Sequence, residues 1–350
     1  MFGKIYKGKR VLVTGDTGFK GSWLCIWLRE LGAEVYGYAL PAKNACDNYM
    51  VSGLGDMISH MEGDIRDYQK LEKYFKEVQP EIVFHLAAQS LVRESYRSPR
   101  DTFETNVMGT VNFYECLRKV KTVKAAINVT SDKCYRQMEQ TSGYKEEDSL
   151  GGRDPYSASK ASCEMVAQAY LKSFFENSSC LVASVRAGNV LGGGDWAQDR
   201  IIPDLFRAIG QERPLSIRCP DAVRPWQHVL EPLSGYLILA EGLYQGKRSL
   251  SGAWNLGPLI EGDRTVRQLV EQVIKTLGKG KYVIDEHSTH PYEASYLRLS
   301  IDKALTHLDW KPRLRFQEMV EFTVEGYEAK DIYKSRVSQI QRYTRRMKED

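Results

Sequence analysis

An apolar run, Arg10-Val11-Leu12-Val13-Thr14, passes directly into Gly15-Asp16-Thr17-Gly18-Phe19-Lys20-Gly21 and then into a helical stretch from Ser22 to Leu31. Three glycines between a strand and a helix constrain the fold more than any other feature of the chain. Gly15 is expected to allow a sharp turn, Gly18 to let the backbone approach a pyrophosphate, and Gly21 to permit close helix packing, while the helix N-terminus favours an anion. The spacing is G-x-x-G-x-x-G rather than G-x-G-x-x-G, so its weight comes from its place after the first strand. Gly15, Thr17, Gly18, Phe19, Lys20 and Gly21 are the candidate phosphate-holding residues.

The same strand-then-helix rhythm continues. Short apolar runs at 10–14, 34–38, 82–86, 125–129 and 181–186 are separated by longer amphipathic stretches, the pattern of βα units on a parallel sheet. Five strands with helices between them predict an α/β fold with a doubly wound sheet. After Arg186 the sequence becomes turn-rich, from Leu191-Gly192-Gly193-Gly194-Asp195-Trp196 to Arg224-Pro225-Trp226. A first domain over 1–188, joined again by a helix and strand within 224–256, is therefore expected. A smaller lobe takes 189–223 and 257–330. Residues 331–350 are expected as a terminal helix with Ile332, Val337, Ile340 and Tyr343 on one face. A chain of 350 residues is long enough for two such lobes with a cleft between them.

Charge and cysteine content narrow the function. Lys plus Arg number 49 against 45 Asp plus Glu, a net charge of +4, which gives no reason to expect a nucleic-acid surface. Seven cysteines without a Cys-x-x-Cys suggest free thiols in a reducing, cytoplasmic setting. No apolar run approaches the roughly 20 residues that span a bilayer. His287 and His290, near Asp285 and Glu286, lack the spacing of a metal-binding helix and are expected as loop residues, with no metal.

The chemistry-bearing residues lie elsewhere. Tyr156 and Lys160 stand four apart in Asp154-Pro155-Tyr156-Ser157-Ala158-Ser159-Lys160 and so share a helix face. A lysine beside a phenol favours the phenolate, which can take a hydroxyl proton as hydride leaves the same carbon. Val129-Thr130-Ser131-Asp132 closes the fourth strand of the set. At the end of the second strand, Tyr36-Gly37-Tyr38-Ala39 offers neither the acidic residue that grips a ribose nor an arginine for a 2′-phosphate. Asp64 is placed to accept from an adenine amino group, and Asp67 to cap the helix beginning near Tyr68.

Together these strings resemble the extended short-chain dehydrogenase/reductase family from Lys9 to about Trp310. They are joined by His85-Leu86-Ala87-Ala88-Gln89 and Thr105-Asn106-Val107-Met108-Gly109-Thr110. Within it, Thr130-Ser131-Asp132-Lys133-Cys134-Tyr135 looks like the CDP-glucose 4,6-dehydratase subgroup; sugar-nucleotide 4,6-dehydratases generally carry Thr-Asp-Glu there. Gly18-Phe19-Lys20-Gly21-Ser22-Trp23-Leu24, Arg186-Ala187-Gly188-Asn189-Val190, Gly192-Gly193-Gly194-Asp195-Trp196 and Arg224-Pro225-Trp226-Gln227-His228-Val229 agree with the same subgroup. Asp16 departs from it, standing where histidine is usual, and threatens cofactor affinity unless its carboxylate points away.

The resemblance implies a Rossmann-type sheet with a C-terminal substrate lobe, NAD as cofactor and a nucleotide sugar as substrate. It implies a role in deoxysugar and surface-polysaccharide (O-antigen) synthesis. Ile65, Leu86, Ala87 and Ala88 would line the dinucleotide with Asp64, Tyr156 and Lys160. Oxidising C4 of a hexose makes the C5 proton acidic, so water can then be lost across C5 and C6. Tyr156 would take the O4 proton with Thr130 hydrogen-bonding O4 and Lys160 supporting the phenolate. Lys133 would remove the C5 proton, and Asp132 would protonate the departing hydroxyl. Asn189 and Arg224 would grip the diphosphate, Gln89 and Arg93 the sugar, and Tyr296 would reach in from the second lobe. Helices near 101–117 and 156–175 resemble a dimerising pair. A dehydratase for another nucleotide hexose and an epimerase of the same fold are the alternatives; an epimerase needs Tyr156 and Lys160 but not Asp132 and Lys133. A non-catalytic dinucleotide sensor would be expected to lack Tyr156 or Lys160.

Overall fold

The computed structural model describes residues 2–138, 142–259, 264–285 and 298–349. Among them, seven strands form one sheet: β1 Arg10–Thr14, β2 Glu34–Ala39, β3 Ser59–Glu62, β4 Ile82–His85, β5 Ala125–Val129, β6 Leu181–Ala187 and β7 Gly252–Leu256. All neighbours are parallel, in the order β7-β6-β5-β4-β1-β2-β3. The order reverses between β1 and β4, which opens a crevice at the carboxyl ends of those strands. One sheet strand was not expected from the sequence. β3 reads Ser-His-Met-Glu and is an edge strand, part-exposed along its length, so it carries no apolar run to announce it.

The principal helices are α1 Phe19–Glu30, α2 Tyr68–Val78, α3 Gly109–Lys119, α4 Pro155–Tyr170, α5 Ile201–Gly210, α6 Leu230–Tyr244, α7 Val266–Leu277, α8 Phe316–Glu328 and α9 Ile332–Arg346. Alternation along the strands sends side chains to opposite faces. Val11, Val13 and Val35 pack with Trp23 and Trp27 of α1, Leu233 and Leu237 of α6, and Ile340 and Tyr343 of α9. Leu12 and Tyr38 pack on the other face with Leu71 and Phe75 of α2, Phe113 of α3 and Ala167 of α4. Burying an aliphatic side chain of this kind is worth roughly 1.5–3 kcal/mol, so both layers are strongly driven.

The terminal helix therefore belongs to the first layer, with β7 and α6. A separate core built from α5, α7 and α8 holds Ile202, Leu205, Trp226, Leu269, Val270, Met319 and Val320. The glycine-rich stretch after β6 joins the two cores. A Cβ on Gly193 would lie 2.3 Å from the backbone of Gly326 in α8, and Gly193 O accepts from Trp23 Nε1 of α1 at 3.0 Å.

Candidate active site

The glycine loop follows β1 into the crevice. Gly15 has φ +80°, donates its amide to Tyr38 O at 2.9 Å, and leaves no room for a Cβ, which would meet Ala87 N at 2.7 Å. A Cβ on Gly21 would stand 2.0 Å from Gly15 O. Gly18 precedes the first turn of α1, where amides have no intrahelical acceptor, so the loop has the open face and the donors a pyrophosphate needs. Thr17 spends its hydroxyl on Leu40 O, 2.8 Å away. Asp16 does point away from this face. Its carboxylate is buried beside Gly37, with Oδ2 2.7 Å from Nδ1 of His60 on β3. Burial raises the Asp16 carboxyl while the His60 hydrogen bond opposes it, and Asp16 in turn raises His60.

Burial pushes the Lys20 amine down to about 8, with Arg200, Lys160 and Lys133 adding to the shift and Asp132 opposing it. Lys20 thus belongs electrically to the catalytic corner as well as to the phosphate loop. Leu86, Ala87 and Ala88 follow β4 along the crevice, part-exposed, and Ile65 is buried against Gly109. Asp67 caps α2 by accepting from Lys70 N at 3.0 Å, as expected. Asp64 is engaged otherwise than expected: both carboxylate oxygens accept from the Arg66 guanidinium, at 3.0–3.1 and 2.6 Å, so an adenine amino group would have to share them.

The start of α4 is fixed by Pro155 in its first turn and by Asp154, which accepts from Ser157 N at 2.9 Å and Ser157 Oγ at 2.6 Å. This cap sets Tyr156 and Lys160 on the buried face of the helix. Burial pushes the Tyr156 phenol up to about 12 against a hydrogen bond with Ser131, and pushes the Lys160 ammonium down. Ser131 Oγ donates to Asp132 Oδ1 at 2.9 Å and accepts from Lys133 N at 3.2 Å, and its hydrogen bond with the Tyr156 oxygen favours the phenolate. Asp132 is 2 % exposed and its Oδ2 has no partner among the described residues; it looks toward Gly188, whose missing Cβ would sit 3.1 Å away. Lys133 Nζ lies 3.8 Å from Asp132 Oδ1 and is part-exposed. A buried acidic group joined to a phenol by one hydroxyl, with an amine beside the acid, can exchange protons at neighbouring substrate atoms.

Thr130 is not the hydroxyl of this corner. Its Oγ1 donates to the buried Glu164 carboxylate at 2.5 Å and also approaches Val185 O at 3.3 Å, so its proton is committed beneath the strand end. Ser131, one residue later, stands where Thr130 was expected. Two further residues lie close enough to this corner to act on it by charge. His85, hydrogen-bonded to Thr14 Oγ1 at 2.7 Å, is pushed down to about 3 by burial and then Lys160. Arg200 is held by Asp195 at 2.8 Å, reaches Ser90 Oγ at 3.3 Å, and interacts with Tyr156.

The expected substrate contacts divide. Asn189 has a buried Oδ1 without a hydrogen-bond partner among the described residues, and Arg224 is buried, paired in register with Arg264 and with Nη1 donating to Val223 O at 3.0 Å. Gln89, by contrast, spends its amide on its own loop: Nε2 donates to Leu91 O and Thr102 Oγ1, and Oε1 accepts from Leu91 N at 2.5 Å. Arg93 donates to Asp199 at 2.7 Å across the cleft rather than standing open to a sugar. Tyr296, His287 and His290 lie outside the described residues. Among the described residues no cluster of three or more His, Cys, Asp or Glu is arranged to hold a metal, and no helix is long and apolar enough to cross a membrane.

Comparison with known proteins gives the family. Residues 12–323 match the family model described as GDP-mannose 4,6 dehydratase. A CDP-glucose 4,6-dehydratase of Salmonella typhimurium is 47% identical over 329 residues, covering 93% of this chain and 92% of that protein. Among solved structures, dTDP-glucose 4,6-dehydratase of Bacillus anthracis in complex with NAD superposes with a TM-score of 0.75 at 26% identity, over 92% of this chain and 97% of that one. UDP-glucose 4-epimerase of Thermus thermophilus with NAD gives 0.77 at 25% identity, over 93% and 99%. With its short-chain dehydrogenase/reductase sheet, the chain belongs to the GDP-mannose 4,6 dehydratase family and is a homologue of CDP-glucose 4,6-dehydratase.

Proposed function

We propose that the protein is an NAD-dependent dehydratase that converts CDP-D-glucose to CDP-4-keto-6-deoxy-D-glucose. One observation carries the reading: Asp132 and Lys133 sit at a buried strand end joined through Ser131 to Tyr156, so an acid and a base adjoin the oxidising phenol. Tyr156 and Lys160 alone would serve an epimerase equally well. The similarity to the Salmonella enzyme over nearly the whole chain supports CDP as the carrier.

The loop from Gly15 to Gly21 and the strand end Leu86-Ala87-Ala88 would hold the dinucleotide, and its open face and free helix amides fit a pyrophosphate. Bound NAD would supply an acceptor for the hydride that leaves C4 and a donor for the one that C6 receives. Tyr156 takes the O4 proton, with Ser131 hydrogen-bonded to both partners and Lys160 stabilising the phenolate by charge. Lys133 then takes the proton from C5. The C5–H electron pair forms the C5–C6 double bond as the C6 hydroxyl leaves with a proton from Asp132, giving water. Protonation at C5 by Lys133, and transfer to Asp132 of the proton that Tyr156 took from O4, restore the site. Asn189 and Arg224 would hold the diphosphate, and Arg200, hydrogen-bonded to Asp195 and Ser90 Oγ, would add positive charge toward Tyr156.

Incubation with NAD and a panel of CDP-, dTDP-, UDP- and GDP-hexoses, followed by mass spectrometry, tests the assignment. Loss of one water from CDP-glucose is expected; turnover of another donor alone would replace the substrate, and C4 inversion without water loss would favour an epimerase. The protein is further proposed to work as a homodimer through the helical surface of α4 and the segment leading into α3, where Phe103, Met108, Met165 and Phe174 stand exposed.

A further inference from the structure

Glu164 and Arg186 form a fully buried ion pair beneath the turn that carries Ser131, Asp132 and Lys133, with 2.7 Å between Oε2 and Nη2. Neither residue reaches a reacting atom in the scheme above. Buried ion pairs are weak evidence of a stabilising role, because well-packed apolar residues of similar volume often do as well or better. Their hydrogen bonds are what single this pair out.

Glu164 lies one helical turn beyond Lys160, so Tyr156, Lys160 and Glu164 form a single stripe on α4. Its Oε1 accepts from Thr130 Oγ1 at 2.5 Å and its Oε2 from Ser184 Oγ at 2.9 Å. Arg186 Nη1 donates to Tyr135 Oη at 2.7 Å and to Glu146 O at 3.0 Å. Tyr135 in turn donates to Asn255 Oδ1 at 2.7 Å and stacks on Tyr144 with ring centroids 5.0 Å apart. Thr130 and Tyr135 are the two residues that bracket 131–134. One buried pair therefore grips both ends of the turn, from β6 and from α4.

We propose that Glu164 and Arg186 are positioning residues for the elimination half of the reaction, acting through Thr130 and Tyr135 to hold Asp132 and Lys133 against C6 and C5. The inference rests on the dehydratase reading. The oxidising half shares Ser131 with this turn but keeps supports outside it: Tyr156 and Lys160 are set by the Asp154 cap and by Asn106, whose Nδ2 donates to Ser159 Oγ at 2.8 Å. Loosening the ends of the turn should thus slow dehydration more than C4 oxidation, rather than both equally.

The test uses Thr130→Val and Tyr135→Phe, each of which removes one hydroxyl at nearly constant shape, with Glu164→Gln as the bolder change and Thr130→Ser as the conservative rescue. Each protein is incubated with NAD and CDP-glucose and quenched with borodeuteride, which marks C4 ketones, so that mass spectrometry separates oxidised-only sugar from 6-deoxy product. Small displacements of reacting groups cost up to about a hundredfold in rate. A fall of about ten- to a hundredfold in kcat for dehydration is expected, with KM within about twofold and a rising share of oxidised-only sugar. Thr130→Ser should keep the parent partition. Dehydration within about twofold of the parent in every variant would overturn the proposal. So would oxidation and dehydration falling together without oxidised-only sugar, as a generally loosened fold gives. A parent enzyme that leaves CDP-glucose unchanged overturns the dehydratase reading and this inference with it.

Discussion

Lys133→Met keeps most of the side-chain stem and removes only the amine, which makes it the sharpest single-residue probe of the chemistry. General acid–base groups typically contribute about 10²–10⁴ in rate. Formation of 4-keto-6-deoxy product is expected to fall by about that factor while C4 oxidation survives; wild-type yield of product would show that another group removes the C5 proton. Ser131→Ala makes the complementary prediction. It removes the hydroxyl that Tyr156 and Asp132 both use, so C4 oxidation itself should slow, by about tenfold or more in single-turnover measurements. Unimpaired oxidation would return the role to Thr130. These two hydroxyls illustrate what the sequence can and cannot disclose. Thr130-Ser131-Asp132-Lys133 is conspicuous as a string, but which hydroxyl faces the phenol depends on the pleat as β5 ends, and adjacent residues point opposite ways. Gln89 and Asp64 fail differently: a residue type suited to a ligand is equally suited to its own loop, and here Leu91, Thr102 and Arg66 take up the capacity. Glu164 escaped notice because a glutamate on a helix ordinarily faces solvent.

Elements whose residues repeat a strong pattern were legible, and those that depend on distant partners were not. β1, β4, β5 and β6 are buried throughout or nearly so, whereas β3 forms through pairing with β2 and through His60, whose partner Asp16 lies far away in the chain. The α1 turn makes a firm prediction. Gly21→Ala would put a methyl 2.0 Å from Gly15 O, forcing the glycine loop or the helix to shift. Overpacking of this kind costs about 1–3 kcal/mol, so a lowered unfolding midpoint and at least tenfold weaker NAD binding by calorimetry are expected, about 1.4 kcal/mol of affinity; unchanged affinity would remove the loop from the cofactor site. A second prediction concerns α6 and α9. Glu231, buried in α6, accepts from Tyr343 Oη of α9 at 2.5 Å and from the amides of Arg313 and Leu314. Burial nevertheless raises its carboxyl to about 7. The folded protein therefore holds a proton that the unfolded chain releases near pH ~4.3. That contribution is full below ~4.3 and is lost as pH rises through about 7, on the order of 3 kcal/mol in all. Glu231→Gln, which keeps the shape without titrating, should become steadily more stable relative to the parent between pH 5 and pH 8 in urea unfolding. A constant difference would mean that the carboxylate is charged across that range.

At the scale of the whole molecule, the described catalytic corner and its supports come from one chain, while the exposed apolar side chains lie on the opposite side of α4. Tyr156 and Lys160 are buried on the inner stripe of that helix; Met165 is 51% exposed on it, and Phe174, in the turn that follows, is 48% exposed. Phe103 and Met108, on the stretch leading into α3, add two more. Single exposed apolar residues are ordinary, but four large ones on two helices that pack together form a surface suited to burial against a second copy. Arg118 lies over the Phe174 ring at 4.0 Å, and Tyr170 donates to Glu115 at 2.7 Å, so the two helices already fix each other's outer faces. An interface across them would tie α4 of one chain to α4 of its partner directly behind both catalytic stripes. Met165→Lys combined with Phe174→Lys sets charges into that surface, where two like charges brought together and desolvated are strongly unfavourable. Light scattering should then report the mass of one chain in place of two, with the thermal midpoint lowered. Because Ser131, Asp132, Lys133, Tyr156 and Lys160 all belong to one chain, the monomer should keep measurable dehydration of CDP-glucose. A double variant that remains dimeric would put the interface elsewhere on the molecule. One that becomes monomeric and loses C4 oxidation entirely would show that α4 needs its partner to hold Tyr156 in place.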